Sequence, residues 1–238
     1  MNNEFIRISL NEILFYFTRA GFGVNAPIGL SEDFARSNVW LAENGFDPSS
    51  CSYFALDCLD NRKSSIIANF SDRNTIVCSD KKYLSAFQAS VVAADWITSN
   101  SNDKLKIVNV DSPFLVLAQL GVNLAENWQV EWSDDKGDRY LINLKKNENW
   151  EIVSNSVNLI EHSKGANILI KKLDFTGVDN NEVIKKFNTK HCRENILQTG
   201  VEVKDMWVLV YEYFSRCLVK SNARSRETGA GAGLVDND

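Results

Sequence analysis

Three observations predict an α+β fold. Apolar residues recur at helical spacing toward both ends of the chain, the middle alternates between apolar and polar residues, and the blocks contain no repeated strand–helix–strand unit. The 238 residues, 44% of them hydrophobic, are enough to bury a real core. We read them as one domain, with a helical N-terminal part at about 1–46, a sheet-rich part at about 64–175, and a C-terminal helix and tail at about 180–238.

Ser9-Leu-Asn-Glu12 is a capping box, and Ile13, Leu14, Phe17 and Ala20 follow it at helical spacing, so a first helix is expected over about Leu10 to Ala20. A glycine-rich link from Gly21 to Gly29 leads to Ser31-Glu-Asp33. A serine cap with two early carboxylates suits a second helix there, running to Asn44 with Gly45 as its stop. Asp47 to Lys63 shows no clear period and is expected to be irregular. Ile66 to Phe70 and Thr75 to Cys78 read as strands. Asp80 then caps a helix that places Ala86, Phe87, Ser90, Ala93, Ala94 and Ile97 on one face.

A strand at Leu105 to Val110 and a buried helix at Pro113 to Leu124 come next, the latter being apolar almost throughout. Alternation between Trp128 and Leu173 predicts an antiparallel sheet with one wet face, on which Trp128 and Trp132 share a side and are read as core. Helical spacing returns from Val201 to Val219 through Val203, Trp207, Val210, Tyr211, Phe214 and Leu218. The expected architecture is thus an N-terminal helical pair, a central mixed or antiparallel sheet, a C-terminal helix and a folded-back glycine-rich tail.

Composition excludes several classes of function. A net charge of -5 supplies no basic field for a phosphate backbone, so no nucleic-acid partner is expected. Five cysteines, an odd number without a CxxC spacing, are read as reduced thiols, mostly in the core. The N-terminus lacks the pattern of a signal peptide, and no run reaches the roughly 18 apolar residues of a membrane span. No membrane association and a cytoplasmic location are expected. His162 and His191 sit in no zinc motif, and no GxSxG elbow is present.

Three segments carry a resemblance. They are Ser9-Leu-Asn-Glu-Ile13 with Arg19-Ala-Gly-Phe-Gly23 and Glu32 to Leu41; Cys51 to Arg62; and Ser225-Arg226 with Gly229-Ala-Gly-Ala-Gly-Leu-Val-Asp-Asn-Asp238. Together they resemble a bacterial family of uncharacterised proteins to which no activity is assigned. The C-terminal motif is the specific part of the match. The family's Val-Pro-x-Ser-Glu is replaced here by Val219-Lys-Ser-Asn-Ala223, which removes a hydroxyl and a carboxylate. The resemblance implies an intracellular bacterial protein and no mechanism.

The tail is the main chemical candidate. Gly229, Gly231 and Gly233 strip the backbone of bulk, so its amides can approach a ligand closely, and Asp236 and Asp238 are the candidate acid/base groups. Their carboxylates suit a divalent cation, but an ion pair with Arg19, Arg36, Arg224 or Arg226 is favoured over a metal, and no cofactor is identified. These four arginines, with Gly21 and Gly23 of the link, complete the set of candidate binding residues. The expected ligand is a small anionic metabolite bearing a carboxylate, handled by an enzyme or the site-bearing subunit of one. The alternative is a non-catalytic interaction or ligand-binding subunit whose tail packs at the interface of a homo-oligomer.

Overall fold

The computed structural model describes residues 6–99, 104–122, 124–146, 149–153, 160–173 and 185–218. Strand β1 (Ile6–Ile8) leads into α1 (Leu10–Gly23), which opens on the capping box. The Glu12 amide donates to Ser9 Oγ at 3.2 Å, and the Ser9 amide donates to Glu12 Oε2 at 2.7 Å. α1 runs past its expected end at Ala20 and takes in Gly21 and Gly23. Helix packing explains both glycines. A Cβ on Gly21 would overlap the Ser31 side chain, and one on Gly23 would overlap the carbonyl of Tyr213.

α2 (Ile28–Glu43) begins after Pro27, ahead of the expected cap at Ser31. Ser31 lies buried inside the helix, where its hydroxyl donates back to the Pro27 carbonyl at 3.0 Å. The stop is as read: Asn44 ends the helix and Gly45 adopts a φ of 80°. The segment expected to be irregular is instead α3 (Ser49–Asp60). Its buried face mixes Ser49, Cys51 and Ser52 with Ala55, Leu56 and Cys58, and two polar groups there are bonded from neighbouring elements. The Ser52 hydroxyl donates to Asn38 Oδ1, and the Ser112 hydroxyl to the Cys51 carbonyl.

β2 (Ser64–Ser65), β3 (Ala68–Asp72), β4 (Thr75–Cys78) and β5 (Tyr83–Leu84) precede α4 (Ala86–Ser99). The predicted face of α4 is buried, but Asp80 does not cap it. The Asp111 carboxylate does, accepting the Ala86 amide at 2.8 Å. β6 (Lys104–Val110) and α5 (Pro113–Val122) follow, and eight of the ten residues of α5 are buried, as expected of a helix apolar on all sides.

The remaining elements are β7 (Trp128–Ser133), β8 (Arg139–Lys145), β9 (Asn149–Ile152), a 3-10 turn at Ile160–His162, β10 (Ala166–Lys172), β11 (Lys185–Asn188), α6 (Thr189–Thr199), β12 (Val201–Val203) and α7 (Met206–Ser215). The main sheet runs β11-β9-β8-β7-β10-β6-β4-β3, with β5 joined to β6 and β2 to β5. It is antiparallel on the β7–β11 side and parallel where β4 and β5 meet β6, and β1 pairs separately with β12. The fold is α+β, as predicted. The wet face holds for β7 and β10 but fails at β8, where Tyr140 through Leu144 are all buried. The segment from Val201, expected to be one helix, is divided between β12 and α7.

One apolar cluster extends from Ile8 to Phe214 and draws on both the helices and the sheet. Trp128 and Trp132 belong to it, and the Trp132 indole donates to Ser163 Oγ. Each large side chain buried there contributes about 1.5–3 kcal/mol. No described helix is long and apolar enough to cross a membrane.

Candidate functional site

A cavity of about 590 Å3 opens between α1, α2, α5, the β8–β9 hairpin and α6. Strand register builds its floor. Leu144 of β8 pairs with Trp150 of β9, and Trp150 pairs in turn with Phe187 of β11, so these side chains stand on one face of the sheet. The rings of Trp150 and Phe187 stack at 3.9 Å, and Trp40 of α2 lies 5.3 Å from Trp150. Gly121 sits so close to the Trp40 indole that any side chain there would displace it.

Asn44 fixes this floor. Its Oδ1 accepts from Trp150 Nε1 and from Thr189 Oγ1, each at 2.8 Å, while its Nδ2 donates to the Trp40 carbonyl at 2.8 Å. One buried amide therefore ties the end of α2 to β9 and to the start of α6. Its polar atoms are satisfied, as burial requires.

Charge around the cavity is predominantly basic. Arg36, Lys145, Lys146 and Arg193 line it, against Glu43 as the single carboxylate among the described lining residues. Glu43 is committed to Arg193 through two bonds of 2.8 and 3.0 Å, which join α2 to α6. Lys145 pairs with Glu151 at 2.7 Å, and Arg36 with Asp33 at 3.1 Å. Lys146 meets no carboxylate partner among the described residues. The lining thus offers cations and apolar walls but, among those residues, neither an imidazole nor an uncommitted carboxylate.

The residues singled out in the sequence are dispersed. Arg36 lines the cavity. Arg19 does not, and its guanidinium lies 3.7 Å over the Phe15 ring. Gly21 and Gly23 pack helix against helix. The helix N-terminus expected at Ser31 is absent, because α2 is already formed there. Arg224, Arg226, Gly229, Gly231, Gly233, Asp236 and Asp238 lie outside the described residues.

Three features escape sequence reasoning. Lys145, Lys146 and Arg193 are unremarkable singly and meet only when the hairpin folds against α6. Ser50 and His162 lie 112 positions apart, yet Ser50 Oγ stands 2.7 Å from His162 Nδ1, the spacing of a nucleophile and its base. That pair is exposed and lines neither this cavity nor a smaller one, of about 410 Å3, on the other side of Asn44.

The third feature is Asp111, fully buried beside Ser64, Ser85 and Ser112. Burial pushes its carboxyl up to about 7, against the opposing effect of the Ala86 amide and the neighbouring hydroxyls. Among the described residues, its Oδ2 and the hydroxyls of Ser64 and Ser85 make no hydrogen bond of normal geometry. Cys51 and Cys58 are likewise pushed up to about 12 by burial, so both thiols stay protonated and unreactive.

No protein-family model and no curated protein matches the sequence. The fold, however, is similar to those of two solved enzymes. One is a malate dehydrogenase from Pyrococcus horikoshii, with a TM-score of 0.58, 7% identity, and 91% of this chain and 96% of that one covered. The other is a dehydrogenase from Sinorhizobium meliloti, with a TM-score of 0.61, 8% identity, and coverage of 89% and 100%. At this level of identity the similarity is one of fold.

Proposed function

We propose that the chain is an enzyme, or the site-bearing subunit of one, that acts on a small carboxylate metabolite bound in the cavity between α1, α2, α5 and α6. The observation that carries this reading is the cavity itself. It is concave, large enough for a small molecule, walled by aliphatic and aromatic side chains, and lined, among the described residues, by four cationic groups against one carboxylate. Similarity of fold to a malate dehydrogenase, whose substrate is a small carboxylate, supports the same ligand class.

Carboxylate chemistry at neutral pH needs a group to take or give a proton. Asp236 or Asp238 of the tail fills that role in this reading. Arg224 and Arg226 add charge, and the backbone at Gly229, Gly231 and Gly233 closes over the ligand. The test is a melting-temperature screen of small carboxylates against the full chain and a chain lacking Leu234 to Asp238. A ligand at ten times its Kd should raise the melting temperature of the full chain by about 3–6 °C. Equal responses from the two chains would remove the tail from the site, and no response from either would remove the carboxylate.

A second reading rests on a different surface. Phe15 of α1 and Met206, Val208 and Tyr211 of α7 are exposed. An interaction subunit that buries this face in a homo-oligomer would account for them. Light scattering of the full and shortened chains separates the two readings.

A further inference from the structure

The cavity is far larger than a compact diacid requires. A space of ~150 Å3 already holds benzene, and this one measures about 590 Å3. Its walls are also unusual for a site that binds only a polar ligand. Leu14 of α1, Val122 of α5 and Leu197 of α6 all line it while remaining 42%, 36% and 67% exposed. Three aliphatic side chains from three helices thus face the same concave space, and the half-buried Leu10, Val39 and Leu124 extend it. A ligand as polar as malate would leave them all in water, at about 25 cal/mol for each Å2 left uncovered.

The charges narrow the head group. Glu43 neutralises Arg193, and Glu151 neutralises Lys145. Arg36 shares Asp33 in an exposed pair of the kind that contributes little. Among the described lining residues, that leaves Lys146 as the cation without an ion-pair partner, with Arg36 in its weak pair lining the same cavity. One such cation matches a single carboxylate better than two.

Resting on the reading above, we propose that the ligand is a monocarboxylate with an aliphatic arm. Lys146 and Arg36 hold the carboxylate, and Leu14, Val122 and Leu197 enclose the arm. Burying a methylene in such a groove should tighten binding about two- to four-fold.

The experiment titrates the full chain with acetate, butanoate, hexanoate, octanoate, malate and octanol. Binding is followed by calorimetry and by the fluorescence of Trp40 and Trp150, which line the cavity. The dissociation constant should fall by that factor for each added methylene until the groove is filled. In Leu197→Ser and Val122→Ser the increment should shrink toward none. Both positions are exposed, so the fold tolerates the change, and circular dichroism verifies it. Lys146→Gln should weaken every acid several-fold by a common factor and leave the increment intact.

A flat series, or malate binding as tightly as octanoate, overturns the aliphatic arm but leaves the carboxylate reading standing. Octanol binding as well as octanoate overturns the head-group assignment. Failure of every acid to bind overturns both proposals together.

Discussion

Replacing Asp111 by asparagine should make the protein more stable at pH 8 and alter it little near pH 4. In the folded chain the carboxyl is buried at the N-terminus of α4 and burial pushes it up to about 7, whereas an unfolded aspartate titrates near 3.9. Between those values the folded state holds a proton that the unfolded state has released. Stability then falls as pH rises, at about 1.4 kcal/mol per pH unit, and levels off above about 7. The whole penalty is at most about 4 kcal/mol. Cys58, which faces Asp111, stays protonated throughout this range and adds nothing to the slope.

Asparagine is nearly isosteric, still accepts the Ala86 amide and carries no titrating proton. Urea unfolding of both proteins from pH 4 to pH 8.5 gives the difference directly, and exposed carboxylates common to both cancel. A gap of even 2 kcal/mol would appear as about 4–8 °C in melting temperature. A difference that does not change with pH would refute the assignment of a neutral carboxyl to this site.

Three further outcomes follow from the packing. Gly23→Ala drives a methyl into the Tyr213 carbonyl, a backbone group that cannot rotate away, and should cost about 1–3 kcal/mol in denaturant unfolding. Asn44→Ala strands the Trp150 indole and the Thr189 hydroxyl in a buried place; a loss of about 2–4 kcal/mol is expected, with a red shift of tryptophan emission. In a thiol-reagent time course, Cys217 should react first and Cys51 and Cys58 only on unfolding, and early reaction of either buried thiol would contradict their placement.

What could be read from the sequence was what depends on neighbours along the chain. The capping box at Ser9 and Glu12 satisfies its own helix, and α5 is apolar enough to need no partner for its identification. α3 escaped because four of its six inward residues are serine or cysteine, which give no apolar period, and its bonds to Asn38 and Ser112 come from elements distant in sequence. Ser31 has the chemistry of a cap, but its hydroxyl bonds one turn back within a helix already begun at Ile28. α6 carries almost no apolar signal, since Thr189 is its one buried residue. The cavity was illegible for the same reason: Arg36, Lys146 and Arg193 are ordinary surface residues until α2, the β8–β9 hairpin and α6 bring them together. Only Arg36 was singled out beforehand, and for its charge alone.

The two walls of the cavity differ in how firmly they are held, and that difference bears on ligand entry. α5 buries eight of its ten residues, six of them in the apolar cluster, so its amides should open only when the whole protein unfolds. α6 is attached through the Thr189 bond to Asn44, the Arg193 pair with Glu43, the Arg7 bond to the Thr199 carbonyl and the half-buried Ile196, with Thr189 as its one fully buried residue. Its outward Leu197, 67% exposed, contributes little burial until something covers it. Hydrogen exchange should therefore be faster throughout α6 than in α5. A ligand whose aliphatic arm lies against Leu197 should slow exchange in α6 selectively, and Glu43→Gln should speed it by loosening the Arg193 pair. Equal protection of the two helices in the free protein would mean that α6 is held by more than these contacts, and the cavity would then have to admit its ligand past the β8–β9 hairpin instead.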